Sequence, residues 1–407
     1  MISHNLDEIV EYSERILLLQ GPVGDFFTQL SKWLTEYNKQ VFKINFNVGD
    51  EYFYPNNLSN TYSYHDKFEN FKDYLVKFVN DNKIDTIICF GDNRPYHKIA
   101  KSLTKELNMF FWVFEEGYFR PDYVTLEKFG VNAFSKIPKE KAFFQQFYNL
   151  PPIGEPQKVK QGFIPVAKVA IQYYWKCIRN RDKYPHYKHH RYLSGRYYLK
   201  LWMLSAIRRV YYYFKDNCFS KKIQRGKFGE FFIVPLQVYD DSQVMVHCDY
   251  NGVSEFINEV LASFSRYAPH DMNLIIKHHP MDRGFTDYGT VIQENINTYP
   301  NLKGRVFYVH DLPLPVLLRQ GKGMVCINST SGLSALVHNL PVKVLGRANY
   351  DFDGLTYQGT LNTFWNNSQR PDNDLFLAYR NYHLHKTHLN GNFYSKVILR
   401  YPYNNEV

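Results

Sequence analysis

Short apolar runs alternate with stretches of helical periodicity twice along this chain, and that alternation limits the fold more than any other feature. In the first series, the apolar runs lie at 15–20, 41–47, 86–91 and 110–117, and the helical stretches lie at 21–38, 66–82 and 94–107. Strands that alternate with helices usually pair in parallel, with the helices on both faces of the sheet. The N-terminal part of the chain therefore predicts one parallel sheet.

The same alternation returns in the C-terminal part. Apolar runs lie at 231–237, 273–280, 305–311, 323–329 and 341–346, with helical stretches near 253–267, 314–320 and 331–339. A chain of 407 residues is too long for one ordinary core. We therefore predict an α/β protein with two Rossmann-type lobes, residues 1–150 and 229–407, and a helical segment at 151–228.

The predicted helical segment holds the positive charge of the chain. Residues 176–227 contain fifteen lysines and arginines against two acids, whereas the net charge of the whole chain is +10. Eight tyrosines and Trp202 accompany this charge. Basic and aromatic residues together are typical of a surface that lies on an anionic membrane, and a solvated helical linker is the alternative. Nucleic acid is not an expected partner, because no RNA- or DNA-binding motif accompanies the charge.

Composition argues against several classes of protein. No apolar run approaches the ~20 residues that span a bilayer, and the first residues lack a signal-peptide pattern, so we expect a cytoplasmic protein. The five cysteines are scattered without a CxxC pair, which argues against a disulfide framework and against a cysteine zinc site. Neither a metal nor another cofactor is expected.

Pairs of acids follow one strand candidate in each series. Glu115 and Glu116 end the last apolar run of the first series, and Asp240 and Asp241 follow the first run of the second series. Carboxylates at strand ends suit acid–base or nucleophilic roles, as glycosyl transfer often requires. The alternatives are a salt bridge to Arg120 for the glutamates and a turn or helix cap for the aspartates.

The strand candidate at 273–280 ends in a polar group of residues, Lys277, His278, His279 and Pro280. Side chains alternate between the two faces of a strand, so the two histidines are poorly placed to chelate one metal. A cationic contact to an anionic ligand is the favoured interpretation. For one of the histidines, the alternative is a core residue that is hydrogen-bonded to the backbone.

Two strand-to-helix turns are rich in small residues. The turn of the second series consists of Ser329, Thr330, Ser331 and Gly332. Free N–H groups and the helix dipole make such a helix start a candidate anion site, although helix capping explains one of the hydroxyls. The turn of the first series contains Gly21 and Gly24 without a nucleotide-binding motif, which indicates a close backbone approach to a ligand such as an acceptor.

Eight blocks of sequence, in order from Gln20 to Gly359, resemble a known family. The blocks are LQGPVGDFF, CFGDNRPYHK, FEEGYFRPDYVTLEKFGVN, LQVYDDSQ, IKHHPMDRG, YVHDLPLPVLL, INSTSGLSALVHN and GLTYQG. Together they resemble the KpsS family (LipB-like) of bacterial capsule polysaccharide biosynthesis and export proteins, which are β-Kdo glycosyltransferases related to KpsC.

The resemblance implies a GT-B-like fold and transfer of 3-deoxy-manno-octulosonate (Kdo). The donor would be CMP-β-Kdo, and the acceptor would be phosphatidylglycerol or its lyso form. Transfer would begin the poly-Kdo linker of a group 2-type capsular polysaccharide. The implied partners are an anionic membrane surface, a KpsC-like transferase and the capsule export complex, with the protein peripheral on the inner face of the cytoplasmic membrane.

The resemblance also implies roles for residues in three motifs. Gln237 through Asp241 match a QxxxD block, Glu115 through Gly117 match an acidic block, and His279 with Pro280 matches an HP block. These blocks imply Asp241 as the nucleophile of a retaining reaction and either glutamate as the base. His279 would hold the CMP leaving group.

Further contacts are expected on both substrates. The expected donor contacts are Gln237, Lys277, His279, Pro280, Arg283, Ser329, Thr330, Ser331 and Gly332, and the expected acceptor contacts are Gly21, Gly24, Arg94 and Arg120. Two other functions remain open from the sequence. One is a non-catalytic adaptor for capsule assembly or export, and the other is a transferase that uses a different CMP-sugar.

Overall fold

The computed structural model of the protein describes residues 2–160, 162–187, 195–239 and 242–403. The chain divides into two compact units. The first unit consists of residues 1–137, 150–195 and 380–407, and the second consists of residues 138–149 and 196–379. Each unit is built around parallel strands, so the predicted α/β class with two sheet-based lobes is confirmed.

The helices and strands are numbered in chain order. The strands are β1 (Arg15–Leu18), β2 (Gln40–Asn45), β3 (Thr61–Ser63), β4 (Thr86–Phe90), β5 (Phe110–Glu116), β6 (Tyr123–Lys128), β7 (Phe231–Pro235), β8 (Asn273–Lys277), β9 (Val306–Val309), β10 (Gly323–Cys326), β11 (Val342–Val344), β12 (His388–Asn392) and β13 (Lys396–Val397). The helices are α1 (Asn5–Tyr12), α2 (Phe26–Glu36), α3 (Val48–Phe53), α4 (Phe71–Asp81), α5 (Pro95–Glu106), α6 (Lys141–Gln145), α7 (Phe163–Arg179), α8 (Gly195–Gln224), α9 (Ser242–His247), α10 (Val253–Tyr267), α11 (Gly289–Thr298), α12 (Leu314–Leu318), α13 (Ser331–Val337), α14 (Leu361–Asn367) and α15 (Asn373–Lys386).

The first unit holds an eight-stranded sheet in the order β13-β12-β6-β5-β4-β1-β2-β3. Strands β1 to β5 pair in parallel, and β6, β12 and β13 pair antiparallel at one side. Alternate residues of β1, β2, β4 and β5 enter separate apolar cores on the two faces of the sheet, as Phe111 and Trp112 do from β5. Burial on both faces explains why these strands read as nearly continuous apolar runs.

The second unit holds a five-stranded, wholly parallel sheet in the order β11-β10-β7-β8-β9. Helices α10, α11 and α14 bury their apolar residues against one face of this sheet, around Phe232, Phe264 and Trp365. All five strands of this sheet coincide with the apolar runs of the second series, because each is short, apolar and bounded by polar turns.

The division of the chain differs from the predicted one at the C-terminus. Residues 380–407 belong to the first unit, where β12 pairs with β6 through His388 opposite Thr125. That pairing joins strands more than 250 residues apart, so no local pattern indicates it. Helix α7 belongs to the first unit, and α8, apart from Gly195, belongs to the second. Among the described residues, no helix combines the length and the apolar character needed to cross a membrane.

Candidate functional site

The strand order of the first sheet reverses between β1 and β4. From β1 the chain continues to β2 on one side, whereas β4 lies on the other side of β1. Ligands of open parallel sheets bind at the carboxyl ends of the strands where such a reversal occurs. The turn after β1 contains Gly21 and Gly24, and the turn after β4 contains Gly91 and Arg94. Arg94 Nη1 donates to the Gly21 carbonyl at 3.3 Å, so two predicted acceptor contacts lie together.

The two glutamates at the end of β5 point to opposite faces of the sheet. Glu115 Oε1 accepts a hydrogen bond from the Glu116 N–H at 2.9 Å. Glu115 Oε2 lies 3.9 Å from the position that a Cβ on Gly91 would take. Gly91 has φ +69°, in the left-handed region that favours glycine. Glu115 therefore lies beside the turn of β4, at the edge where the strand order reverses.

Burial gives Glu115 an unusual pKa. Loss of hydration raises its pKa from 4.5 to about 7, and the nearby carboxylates of Glu116 and Asp92 act in the same direction. A general base works best when its pKa lies near the operating pH. Glu115 therefore has the proton affinity of a base for neutral pH.

Glu116 lines a pocket of about 150 Å³ on the opposite face. Tyr394 donates its hydroxyl to Glu116 Oε1 at 2.9 Å. Burial and the charge of Glu116 both raise the pKa of Tyr394, so the tyrosine remains a neutral donor. Arg120 and Lys160 line the same pocket, which gives it two cations beside the carboxylate.

The salt bridge considered between these glutamates and Arg120 is absent from the described part of the chain. Arg120 Nε instead donates to the Gly117 carbonyl at 3.2 Å. A Cβ on Gly117 would lie 1.8 Å from the Tyr123 carbonyl oxygen, so only glycine fits where β5 turns into β6. The glycine of the acidic block therefore serves the close pairing of these two strands.

Replacing Glu115 with glutamine is expected to stabilise the protein at alkaline pH. Because the folded pKa of about 7 lies above the unfolded value of 4.5, wild-type stability falls as pH rises through this interval. The variant lacks that loss, so its advantage over wild type should grow between pH 5 and pH 8 by up to about 3 kcal/mol. Chemical denaturation at pH 5 and at pH 8 measures the free energy of unfolding of each protein. The control is Glu36→Gln, at an exposed position. If the difference in the free energy of unfolding between Glu115→Gln and wild type did not change with pH, this result would contradict a raised pKa of Glu115.

The strand order of the second sheet reverses between β7 and β10. Gln237 follows β7 and is almost fully buried, and its Nε2 donates to Asn328 Oδ1 at 3.0 Å. Asn328 Nδ2 in turn donates to the His247 carbonyl at 3.2 Å. Gln237, a predicted donor contact, thus joins the turn after β7 to the turn after β10.

The predicted cationic residues lie at the end of β8, next to β7. Lys277 is 8% exposed, and its Nζ donates to the His278 carbonyl at 3.4 Å. Burial and Arg283 lower the pKa of Lys277 to about 8. Arg283 is buried as well and forms an ion pair with Asp311, with Nη2 to Oδ1 at 2.7 Å. Lys277 keeps further N–H donors for a ligand.

The two adjacent histidines differ in their surroundings. His278 is fully buried, its Nδ1 lies 2.6 Å from the Tyr308 hydroxyl, and burial lowers its pKa to about 4. His279 is partly exposed, and its Nδ1 accepts the Met281 N–H at 3.2 Å. Pro280 begins the short 3₁₀ turn that His279 caps in this way. The alternative of a core histidine that is hydrogen-bonded to the backbone therefore fits His278, which is fully buried and has a backbone hydrogen bond with Asp282.

The small residues before α13 are partly used by the fold itself. Ser329 Oγ accepts the Ser331 N–H at 3.1 Å, and the Ser329 carbonyl accepts the Gly332 N–H at 2.9 Å. A Cβ on Gly332 would lie 2.4 Å from the Tyr350 hydroxyl oxygen, so packing against Tyr350 accounts for the glycine. Thr330 and Ser331 are partly exposed at the carboxyl edge of the sheet.

Two predicted residues lie outside the described part of the chain. They are Asp240 and Asp241, which directly precede α9. The structure also adds residues that the sequence did not single out, namely Gly91, Lys160 and Tyr394. Gly91 directly follows the apolar run of β4, so it could have been identified from the sequence. Tyr394 lies 278 residues from Glu116 and has no local signal.

Comparison with known proteins connects this chain to capsule formation. A family model described as "Capsule polysaccharide biosynthesis protein" matches residues 85–394. The chain is 54% identical over 400 residues to "Capsule polysaccharide modification protein LipB" of Neisseria meningitidis serogroup A, covering 98% of this chain and 96% of that protein. It is 39% identical over 381 residues to "Capsule polysaccharide export protein KpsS" of Escherichia coli, covering 94% and 97% of the two chains.

A solved structure of lower similarity is titled "Thermosulfurimonas dismutans KpsC, beta Kdo 2,7 transferase". It has a TM-score of 0.40 and 12% identity, and the match covers 90% of this chain and 89% of that one. Similarity at this level carries no inference about activity. The sequence matches, by contrast, extend over most of the chain and confirm the resemblance of the eight blocks. The protein therefore belongs to the family of capsule polysaccharide biosynthesis proteins.

Proposed function

We propose that this protein is a retaining β-Kdo glycosyltransferase that transfers Kdo from CMP-β-Kdo to a phosphatidylglycerol-type lipid. One observation carries the proposal: in each unit, polar groups suited to this reaction lie at the carboxyl edge of the sheet where the strand order reverses. The relatives are named for modification and export of capsule polysaccharide, which supports a lipid-linked capsular glycan as the product.

The second unit is the proposed donor-binding unit. CMP-Kdo carries a phosphate and a sugar carboxylate, so its site needs cations and N–H donors. Lys277 and His279 at the end of β8 supply positive charge or hydrogen bonds, and the hydroxyls of Thr330 and Ser331 supply donors. The CMP phosphate is a weak base, so it needs stabilisation as it leaves rather than a strong acid.

The first unit is the proposed acceptor-binding unit. Glu115, beside Gly91 and with a pKa near 7, would remove the proton of the acceptor hydroxyl. Glu116, which accepts a hydrogen bond from the Tyr394 hydroxyl, would position the acceptor in the pocket that it lines. Arg120 and Lys160 in that pocket suit the anionic headgroup of a phospholipid. This assignment chooses between the two glutamates that the sequence left open.

Retention of configuration requires two inversions. Asp241 is the proposed nucleophile: its carboxylate attacks the anomeric carbon, the bond to the phosphate breaks, and CMP leaves with the electron pair. The acceptor hydroxyl then gives its proton to Glu115, and its oxygen displaces Asp241 from the anomeric carbon. Donor and product are both β-linked. No metal takes part in this proposal.

A comparison of donors tests the proposed function. The purified protein is given a fluorescent phosphatidylglycerol analogue with either CMP-Kdo or CMP-sialic acid, and the lipid products are separated by chromatography. We expect a new lipid species with CMP-Kdo and none with CMP-sialic acid. The reverse preference would support a transferase for another CMP-sugar. Binding of the lipid without consumption of either donor would support a non-catalytic adaptor.

The proposed lipid acceptor requires contact with a membrane, and α8 offers a suitable face. Met203, Ile207, Val210 and Phe214 are exposed and recur at intervals of three and four residues, on one side of the helix. The opposite side is fixed to the second unit: Tyr212 stacks on His310 at 3.6 Å. These four exposed apolar residues form the α8 ridge.

Charge supports an anionic membrane as the partner of the α8 ridge. Lys200, Arg209, Lys215 and Lys221 are exposed on the same helix. The helix has one acid, Asp216, which is buried and accepts the His310 and Asp311 N–H groups at 2.7 and 2.8 Å. An apolar stripe flanked by cations is typical of helices that lie in the headgroup region of anionic membranes. The cytoplasmic membrane is the proposed location.

Polar substitution of the α8 ridge is expected to weaken membrane binding. The double change Ile207→Gln and Phe214→Gln removes two apolar side chains worth roughly 1.5–3 kcal/mol each when buried. We therefore expect binding to vesicles containing phosphatidylglycerol to fall at least about 10-fold in a flotation assay. Leu377→Gln, an exposed leucine on α15, is the matched control. Unchanged binding, or equal binding of wild type to uncharged vesicles, would contradict the assignment.

A further inference from the structure

Helix α7 of the first unit exposes large apolar side chains along one side. Ile164, Ile171 and Trp175 are at least 60% exposed, and Ile178 is 37% exposed. These residues are separated by seven, four and three positions, which places all four on one side of the helix. The four residues form the α7 stripe. A row of exposed apolar side chains of this kind usually marks a contact with a partner.

The opposite side of α7 holds the helix on the first unit. Tyr173 and Cys177 are buried against α3, because a Cβ on Gly49 would lie 2.5 Å from the Tyr173 ring and 2.8 Å from Cys177 Sγ. The Tyr173 hydroxyl also donates to Asp50 Oδ1 at 3.1 Å. The helix is therefore anchored by one side, and the α7 stripe lies on the side that faces away from α3.

The charge of α7 favours an anionic partner. The sequence of the helix contains Lys168, Lys176 and Arg179 and no acid. Lys168 and Arg179 are exposed, and each lies four positions from a member of the α7 stripe, at the distance where side chains of a helix are neighbours. Lys176 Nζ lies 4.7 Å from the centre of the exposed Tyr52 ring. Apolar side chains bordered by tryptophan, tyrosine and cations are typical of helices that lie in the headgroup region of anionic bilayers.

The N-terminal end of α7 lines the pocket that contains Glu116. Gly162 and Pro165 belong to the wall of this pocket, together with Lys160. Ile164, the first member of the α7 stripe, lies between these lining residues in the sequence. From Ile164 the stripe extends along the helix over about 21 Å, at 1.5 Å per residue. A surface that binds the α7 stripe therefore also borders the pocket.

We propose that the α7 stripe lies on an anionic phospholipid bilayer and brings the pocket of Glu116 to the level of the lipid headgroups. The acceptor then enters the pocket from the bilayer instead of from solution. The partner is a bilayer rather than a protein, because lipids adapt to a convex row of side chains, whereas a protein would need a groove that matches it. The role of the pocket rests on the proposed function, but the contact of the stripe with a bilayer does not. The α8 ridge is a separate surface, which belongs to the second unit.

The first test uses the fluorescence of Trp175 in the full-length protein. Of the five tryptophans, Trp33, Trp112 and Trp365 are buried, and Trp202 lies exposed on α8. The change Trp202→Phe removes this second exposed indole. The variant is mixed with phosphatidylglycerol vesicles whose acyl chains carry bromine, which quenches tryptophan fluorescence on contact. We expect quenching in this variant, and we expect it to vanish when Trp175→Phe is added.

The second test measures how much the α7 stripe contributes to vesicle binding in a flotation assay. The double change Ile171→Gln and Ile178→Gln keeps Trp175 and is expected to weaken binding to phosphatidylglycerol vesicles at least about 10-fold. The matched control is Leu107→Gln, an exposed leucine of the first unit outside α7, which should bind as wild type does. Because the substituted side chains are exposed, the Tm of both variants should stay at the wild-type value. Wild type should bind uncharged phosphatidylcholine vesicles at least about 10-fold more weakly.

Equal quenching with and without Trp175, or unchanged vesicle binding after the double change, would overturn the bilayer contact. An unquenched Trp175 together with a lipid-free dimer that the double change dissociates, as seen by sedimentation velocity, would identify a second copy of the chain as the partner. An unquenched Trp175 in a monomer would indicate a different protein as the partner and would equally overturn the proposal. Neither readout uses a sugar donor, so a protein that binds vesicles through the α7 stripe but transfers no Kdo would contradict the proposed function alone.

Discussion

The variant Glu115→Gln is expected to lower kcat for Kdo transfer by about 10²–10⁴-fold, the usual contribution of a general base. Glutamine keeps the size of the side chain and its hydrogen bond to the Glu116 N–H, but it cannot take the proton of the acceptor hydroxyl. Because the pKa of Glu115 lies near 7, wild-type kcat/KM should rise with pH through this value as the carboxylate forms. The variant should not show this rise of kcat/KM with pH.

The matched control for this prediction is Glu116→Gln. This change keeps the pocket and its hydrogen-bonding capacity toward Tyr394, so we expect mainly a higher KM for the lipid acceptor and a loss of kcat below about 10-fold. The expected gain in stability of Glu115→Gln at pH 8 separates lost catalysis from lost folding. A larger loss of kcat in Glu116→Gln than in Glu115→Gln would reverse the assignment of the base.

The variant Asp241→Asn is expected to abolish transfer, with a fall in kcat of about 10³-fold or more. An amide cannot form the covalent Kdo–enzyme ester that a retaining double displacement requires. Donor binding should persist, because the change leaves Lys277 and His279 in place. Product formation is measured by lipid chromatography, and binding of CMP-Kdo is measured by calorimetry.

The adjacent change Asp240→Asn is the control for the nucleophile. It removes the same charge one residue earlier, so it reports any general electrostatic effect on donor binding. We expect it to retain at least about a tenth of the wild-type kcat. Full activity of Asp241→Asn, or equal losses in both variants, would show that Asp241 is not the nucleophile.

The parallel strands could be predicted from the sequence because a strand that is buried on both faces of a sheet is a nearly continuous apolar run. Strands β1, β2, β4 and β5 each appear as an apolar run that ends in a glycine, an asparagine or an acid. Strand β3 has three partly exposed or exposed residues, and β13 has two residues, so neither carries a readable pattern. Strand β12 is defined by its pairing with β6 over a separation of more than 250 residues. Such pairing is a tertiary property.

The site could be predicted in part for the same reason. Acids and cations that directly follow strands, such as Glu115 and Lys277, must lie at the carboxyl edge of a parallel sheet. The sequence could not tell which glutamate faces which side, because that depends on the register of β5 against β4 and β6. It also gave Gly332 a role in anion binding, whereas contact with Tyr350 explains the absence of a side chain there.

Lys43 illustrates what only the structure provides. In the sequence it is one polar residue inside an apolar run, which reads as a surface-facing position of a strand. The structure places it under α2 and α3, with 2% exposure. The energetic cost of that position follows from burial rather than from residue type.

The identity and configuration of the product decide whether this protein is a retaining Kdo transferase. The wild-type protein is incubated with CMP-β-Kdo and a phosphatidylglycerol analogue, and the purified lipid is analysed by mass spectrometry and by NMR of the anomeric centre. We expect a lipid that has gained one or more Kdo residues, with the first in the β configuration, and release of an equal amount of CMP. An α-linked product would contradict the retaining mechanism. Lipid recovered unchanged, with CMP-β-Kdo bound but intact, would contradict the assignment of this protein as a Kdo transferase.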